Sequence, residues 1–135
     1  MRSNQTESRF WKKIKQGLSG ADVICTRIEN SSTQGIPDLL LLDRENQFHL
    51  LELKVAKGLK VLLSPHQVSF AARHASARAW IVVQKGETVS LYRSDQAIDV
   101  FKEGLRHAAH ETFTAPVNWT DFLTTIEAYR VPLES

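Results

Sequence analysis

The stretch from Gly35 to Lys54, GIPDLLLLDRENQFHLLELK, constrains the fold of this chain more than any other. It predicts two adjacent strands joined by a short polar turn, with Asp38 opening the first and Glu52 and Lys54 closing the second. Side chains alternate between faces along a strand, so Glu52 and Lys54 point the same way, with Phe48 and Leu50 behind them on that face. A carboxylate and an ammonium thus emerge together from an otherwise apolar strand. Pro37 lacks an N–H and disfavours helix at Ile36, while Gly35 is free to turn, so the chain swings sharply into the first strand. Leu39 to Leu42 is apolar at every position, which predicts a central strand covered on both faces.

Two carboxylates converging on one sheet end repel unless a cation lies between them, and burying either alone is costly. Asp38 and Glu52 offer hard oxygen donors, which suit Mg²⁺ or Mn²⁺; Zn²⁺ prefers His and Cys. Lys54 is placed to hold the charge that develops on a phosphoryl group in transfer. In the plain alternative, Asp38 caps the Gly-Pro turn and Glu52 and Lys54 are a surface pair. An isolated E-x-K would carry no weight against that alternative, but here it follows a G-x-P-D strand at hairpin distance.

A chain of 135 residues with 42% hydrophobic and 24% charged residues is expected to form one globular domain. The single cysteine, Cys25, has no intrachain disulfide partner and lies in an apolar run, as a small buried hydrophobe in a reducing interior would. The N-terminal residues carry no apolar signal core and no run approaches membrane-spanning length, so the expected location is the cytoplasm, or the host cytoplasm if the chain is phage-encoded. The net charge is only +2, but it is unevenly spread. Residues 1–93 carry 14 Lys and Arg against 8 Asp and Glu, and residues 94–135 carry 3 against 7. A polyanion is expected to engage the first part.

Residues 5–18 predict a helix with Phe10, Trp11, Ile14 and Leu18 on one face and Lys12, Lys13 and Lys15 away from it. Glu7, one turn before Trp11, either reaches a site at the sheet end or closes a capping box with Asn4 as N-cap. Gly20 is expected to end this helix. Residues 22–28 then form a first strand with Val23, Cys25 and Thr26 toward the interior, and Arg27 and Glu29 flank the site. The polar loop 30–34, NSSTQ, receives no role. After Lys54, the basic residues Lys57 and Lys60 lie on a loop expected to be mobile and near the site. Lys12, Lys13, Arg27, Lys57 and Lys60 are the candidate DNA-backbone contacts.

Ser64-Pro65-His66-Gln67 starts a helix, with Ser64 as N-cap and Pro65 at the first helical position. Val68, Ala71, Ala72 and Ala75 give that helix a small inner face. Gln67 is either the reciprocal cap or a group that orients a water or phosphate. Residues 79–83 and 88–92 predict two more strands around Lys85-Gly86, making about five, with Trp80, Ile81 and Val83 in the core. Ser94 is expected to cap a helix carrying Ile98, Phe101 and Leu105, and residues 119–129 form a last one. His107 and His110 lack the partner spacing of a metal site. The chain is therefore divided into a core, residues 1–107, and a C-terminal helical extension, residues 108–135, packed on the same domain.

Taken in order, Glu7, Gly35-Ile36-Pro37-Asp38, Glu52-Leu53-Lys54 and Leu63-Ser64-Pro65-His66-Gln67 resemble the PD-(D/E)XK nuclease superfamily. The likeness is nearest to the stand-alone VRR-NUC group and the archaeal-type Holliday junction resolvases, and it covers roughly residues 5–93. It implies an α/β, restriction-endonuclease-like core with a mixed sheet flanked by helices. It further implies a divalent metal, Mg²⁺ with Mn²⁺ as substitute, hydrolysis of a DNA phosphodiester to leave a 5′-phosphate, and a homodimer. By that resemblance Asp38 and Glu52 are metal ligands with the carbonyl of Leu53, Lys54 positions the attacking water or stabilises the transition state, and Glu7 and Gln67 complete the site. The chain lacks the Val-Arg-Arg tripeptide that gives the group its name, and its tail from about residue 108 matches no pattern of that superfamily.

These residues lead to a metal-dependent DNA endonuclease, first of all a structure-selective Holliday junction resolvase acting as a dimer on DNA. A restriction-like or repair nuclease acting on duplex, flap or nicked DNA is the second reading. A non-catalytic DNA-binding module is the third.

Overall fold

The computed structural model describes residues 2–28 and 35–130. Six strands form one open sheet in chain order: β1 (Ile24–Arg27), β2 (Leu39–Leu42), β3 (Phe48–Val55), β4 (Ala79–Lys85), β5 (Thr88–Arg93) and β6 (Glu111–Thr114). All neighbouring pairs are antiparallel except β3 and β4, which are parallel. A parallel pair needs a crossover, and α2 (Pro65–Arg73) supplies it. The mixed sheet flanked by helices agrees with the expected architecture, with one strand more. No helix among the described residues is long and apolar enough to cross a membrane.

The sheet carries an apolar layer on each face. On one, Phe10 and Ile14 of α1 (Arg2–Gly17), Leu18 just after it, and Phe122, Leu123 and Ile126 of α4 (Trp119–Ala128) pack with Leu39, Leu41, Leu51, Leu53 and Trp80. On the other, Ala71 of α2 and Ala97 and Val100 of α3 (Ala97–Glu103) cover Ile81, Val83 and Tyr92. The second layer stops at β4. Leu39 and Leu41 are fully buried, but Leu40 and Leu42 are only half-buried, so β2 is covered on one face and not on both. Thr26 likewise faces out, while Val23 and Cys25 pack inward.

The C-terminal part is not a helical appendage. Residues 111–114 add β6 to the edge of the sheet, with Phe113 alone turned to the core, and α4 closes the main apolar layer. The Trp119 ring lies against Gly17, where a Cβ would collide with the indole. The helix ends at Gly17, one residue short of the expected 5–18 span and ahead of Gly20. At the other end, α1 begins at Arg2, so Asn4 lies within the helix and is not its N-cap. Ser94 is not a cap either: it opens a short 3₁₀ turn, and its hydroxyl donates to the His74 carbonyl at 3.1 Å.

At the far end of the sheet, a buried polar chain ties β2, β3 and β4 together. Trp80 Nε1 donates to His49 Nδ1 at 3.0 Å, which leaves the proton on Nε2, 2.8 Å from Asp43 Oδ2. Burial holds the His49 pKa below its ordinary value, outweighing the pull of Asp43 in the other direction, so the ring stays neutral. Asp43 Oδ1 accepts from the Glu45 and Gln47 N–H groups and shapes the β2–β3 turn.

Candidate metal centre

The site is built where β2 begins, β3 ends and the N-terminus of α2 meets them. Gly35 adopts φ +87°, and a Cβ there would run into the His66 carbonyl; only glycine lets the segment before Asp38 lie on the start of α2. Asp38 follows, and its Oδ2 accepts the Leu53 N–H at 2.9 Å. The aspartate is therefore fixed to the strand that carries Glu52 and Lys54.

Glu52 shares a face with Lys54, as alternation requires, and Lys54 Nζ is 3.8 Å from Glu52 Oε2. The same Oε2 accepts from Gln67 Nε2 at 2.9 Å. Gln67 is the reciprocal cap expected as one of its two readings, and its amide nitrogen also meets Glu52, a contact the sequence did not announce. Its Oε1 accepts the Ser64 N–H at 2.9 Å and its own N–H donates to Ser64 Oγ at 3.1 Å, a complete capping box, while its amide nitrogen holds Glu52.

Glu52 is 6% exposed, and its Oε1 is buried with no hydrogen-bond partner among the described residues. Burial first, and then the neighbouring Asp38 carboxylate, push its pKa up to about 9, against the opposing pull of Lys54. A proton shared with Asp38 is one way to relieve that contact; a cation is the other. Glu7 of α1 lines the same cavity as Asp38 and is electrostatically coupled to it. Burial raises its pKa, with Lys54 acting in the opposite sense and Asp38 in the same one. All the donors brought together here are oxygens, the set that Mg²⁺ and Mn²⁺ take and Zn²⁺ does not favour.

A cavity of about 110 Å³ opens beside the cluster, lined by Glu7, Trp11, Arg27, Asp38 and Leu53. Of the cations expected at the backbone of a nucleic acid, Arg27 borders this cavity, and Lys12, Lys57 and Lys60 are exposed. Lys13 instead borders a separate cleft with Gly86, Glu87, Pro116 and Trp119. The loop carrying Lys57 and Lys60 is anchored, not free: the Leu59 carbonyl accepts the Leu105 N–H at 2.7 Å, beneath a glycine, Gly104, with φ +62°. The small inner face expected of α2 is narrower than predicted, since Ala71 is buried, Val68 packs partly, Ala72 is exposed and Ala75 lies past the helix end. Glu29 and residues 30–34 lie outside the described residues. Trp11 is a cavity residue that sequence reasoning placed only in the core.

No family model matches the chain, and no curated protein matches it. Among solved structures, the chain is similar to one described as a VRR_NUC domain, with 19% identity and a TM-score of 0.47, covering 71% of this chain and 94% of that one.

Proposed function

We propose that this protein is a divalent-metal-dependent DNA endonuclease, with the cation held by Asp38, Glu52 and the Leu53 carbonyl and with Glu7 beside them. The observation that carries the reading is the buried, unpartnered Oε1 of Glu52 next to a second carboxylate. Such an arrangement is costly unless a cation or a proton completes it. Mg²⁺ is the fitting ion and Mn²⁺ its substitute.

When bound, the cation supplies Lewis acidity toward the scissile phosphate and the attacking water. The chain's own groups do the rest. The Leu53 N–H orients Asp38, and Gln67 orients Glu52 from the capped end of α2. Lys54, whose Nζ is 3.8 Å from Glu52 Oε2, neutralises charge building on the non-bridging oxygens or positions the water. Arg27, Lys57, Lys60, Lys12 and Lys13 meet the phosphate backbone.

Within this reading, the substrate is a branched DNA, foremost a four-way junction, and the working form is a homodimer. A two-fold pair presents equivalent sites to two strands. The surface such a pair would bury is the bare apolar face of β1–β3, where Ile24 (60% exposed) and Phe48 (58% exposed) align with Leu42 in one row and Leu40 with Leu50 in the next.

The test is cleavage of labelled four-way junction, flap, nicked and linear duplex DNA with Mg²⁺ or Mn²⁺. Paired symmetric cuts near the branch support the resolvase. Preference for the other substrates moves the protein to a repair or restriction-like role, and binding without cutting makes it a DNA-binding module.

A further inference from the structure

We infer that Trp11 and Arg27 form a nucleotide-holding subsite beside the carboxylates, in which an unpaired base stacks on the Trp11 indole and an adjoining phosphate meets Arg27. This inference rests on the proposed nuclease reading. It extends that reading to the state of the DNA at the cut.

The argument begins with the faces of α1. Phe10, Ile14 and Leu18, four residues apart, form the fully buried stripe that packs on the sheet. Trp11 is a second aromatic of this helix, packed against the edge of that core without being fully buried. Trp11 lies on the neighbouring stripe, in line with Glu7 one turn before it and Lys15 one turn after it, and it remains only partly buried. Its flanking groups differ in charge. Glu7 lines the cavity with Asp38, whereas Lys15 Nζ sits over the indole, 5.7 Å from its centroid.

Trp11 also borders the same cavity as Glu7, Asp38, Leu53 and Arg27. An aromatic residue, an arginine and two carboxylate residues, Glu7 and Asp38, therefore line one small space, and Lys15, over the Trp11 ring, is a mobile cation that an incoming base would displace. That set matches the parts of a single nucleotide: an aromatic face for the base, a cation for its phosphate, and the reacting centre next to both. A base inside a continuous duplex has both faces covered by its neighbours and offers none to an indole. Only an unpaired, frayed or extruded nucleotide can use the subsite. The substrate class follows: DNA in which pairing is interrupted next to the scissile phosphate.

The experiment uses the full chain with Asp38→Asn, so that strands stay intact, and follows intrinsic tryptophan fluorescence during titration with oligodeoxythymidine and with an abasic strand of the same length. Trp80 is buried, which leaves Trp11 and Trp119 as reporters, and Trp11→Phe assigns the signal. The inference expects saturable quenching by the oligonucleotide, little by the abasic strand, and loss of the quench in Trp11→Phe. In a second arm, wild type and Trp11→Leu cut branched substrates with and without an abasic nucleotide beside the scissile phosphate. Wild type is expected to lose on the order of 10-fold on the abasic substrate, and Trp11→Leu to lose that amount on the intact one with no further loss from the lesion. If Trp11→Leu does not fold, Arg27→Gln, at an exposed position, serves in its place and should flatten the salt dependence of binding by about one ion.

Equal abasic penalties in wild type and Trp11→Leu, a quench unchanged in Trp11→Phe, or an unchanged salt slope in Arg27→Gln would overturn the inference. Absence of any metal-dependent cutting by wild type would overturn the nuclease reading instead, and the quenching arm would still decide whether a base stacks on Trp11.

Discussion

Gln67 Nε2 donates to Glu52 Oε2 at 2.9 Å while the other end of the same amide caps α2. One side chain thus couples the start of a helix to the orientation of a buried carboxylate. Replacing it affects two properties measurable apart. Gln67→Ala should cost about 1 kcal/mol of stability in chemical denaturation through the lost cap. It should also lower activity roughly 10- to 100-fold through the freed carboxylate. Gln67→Glu should retain much of the cap but add a carboxylate against Glu52, so activity should fall with a smaller loss of stability.

The pH dependence of the metal-free protein has a definite sign. The Glu52 pKa is raised from an ordinary 4.5 to about 9, so the folded state holds its proton more tightly than the unfolded state does. Its contribution to stability is complete below 4.5 and is lost as pH rises toward about 9. The slope from this group is at most about 1.4 kcal/mol per pH unit. Denaturation in EDTA from about pH 5 to about pH 8 should show this fall in wild type, and Glu52→Gln should flatten it.

Gly35→Ala should be disproportionately harmful for the addition of a single methyl group. The positive φ and the His66 carbonyl both oppose a Cβ, so a cost above about 1 kcal/mol is expected. Because the same turn sets Asp38, metal affinity measured by titration calorimetry should weaken together with the denaturation midpoint. Gly58→Ala, where a Cβ meets open space, serves as the control.

If β1–β3 pair across a two-fold axis, a charge in the centre of the apolar rows should separate the subunits. Phe48→Glu is at an exposed position, so the fold should survive. Sedimentation velocity is expected to show a dimer for wild type and a monomer for the variant.

Much of the site was legible because its chemistry is concentrated in short segments. Asp38, Glu52 and Lys54 lie on two strands joined by a turn, and a period of two placed Glu52 and Lys54 on one face. Glu7 and Gln67 were each read two ways from spacing. The helix start at Arg2 removed the capping alternative for Glu7, while Gln67 is the reciprocal cap and, because an amide has two ends, also binds Glu52. Failures came where tertiary contacts overrode local pattern. β6, ETFT, is a polar edge strand whose only inward residue is Phe113, so its composition gave no strand signal. The Leu39–Leu42 run suggested burial on both faces because apolar composition does not reveal where a covering layer ends. In the Trp80–His49–Asp43 chain the Trp80–His49 bond spans 31 residues, and no local spacing announces it.

The central claim is metal-dependent phosphodiester hydrolysis at the Asp38–Glu52 pair, and a single-turnover time course on a labelled four-way junction tests it most directly. Wild type should cut with Mg²⁺, stop on addition of EDTA and resume when Mg²⁺ is restored, while Asp38→Ala should bind the same DNA and leave it intact. Cutting that persists in EDTA, or in Asp38→Ala at the wild-type rate, would contradict the account.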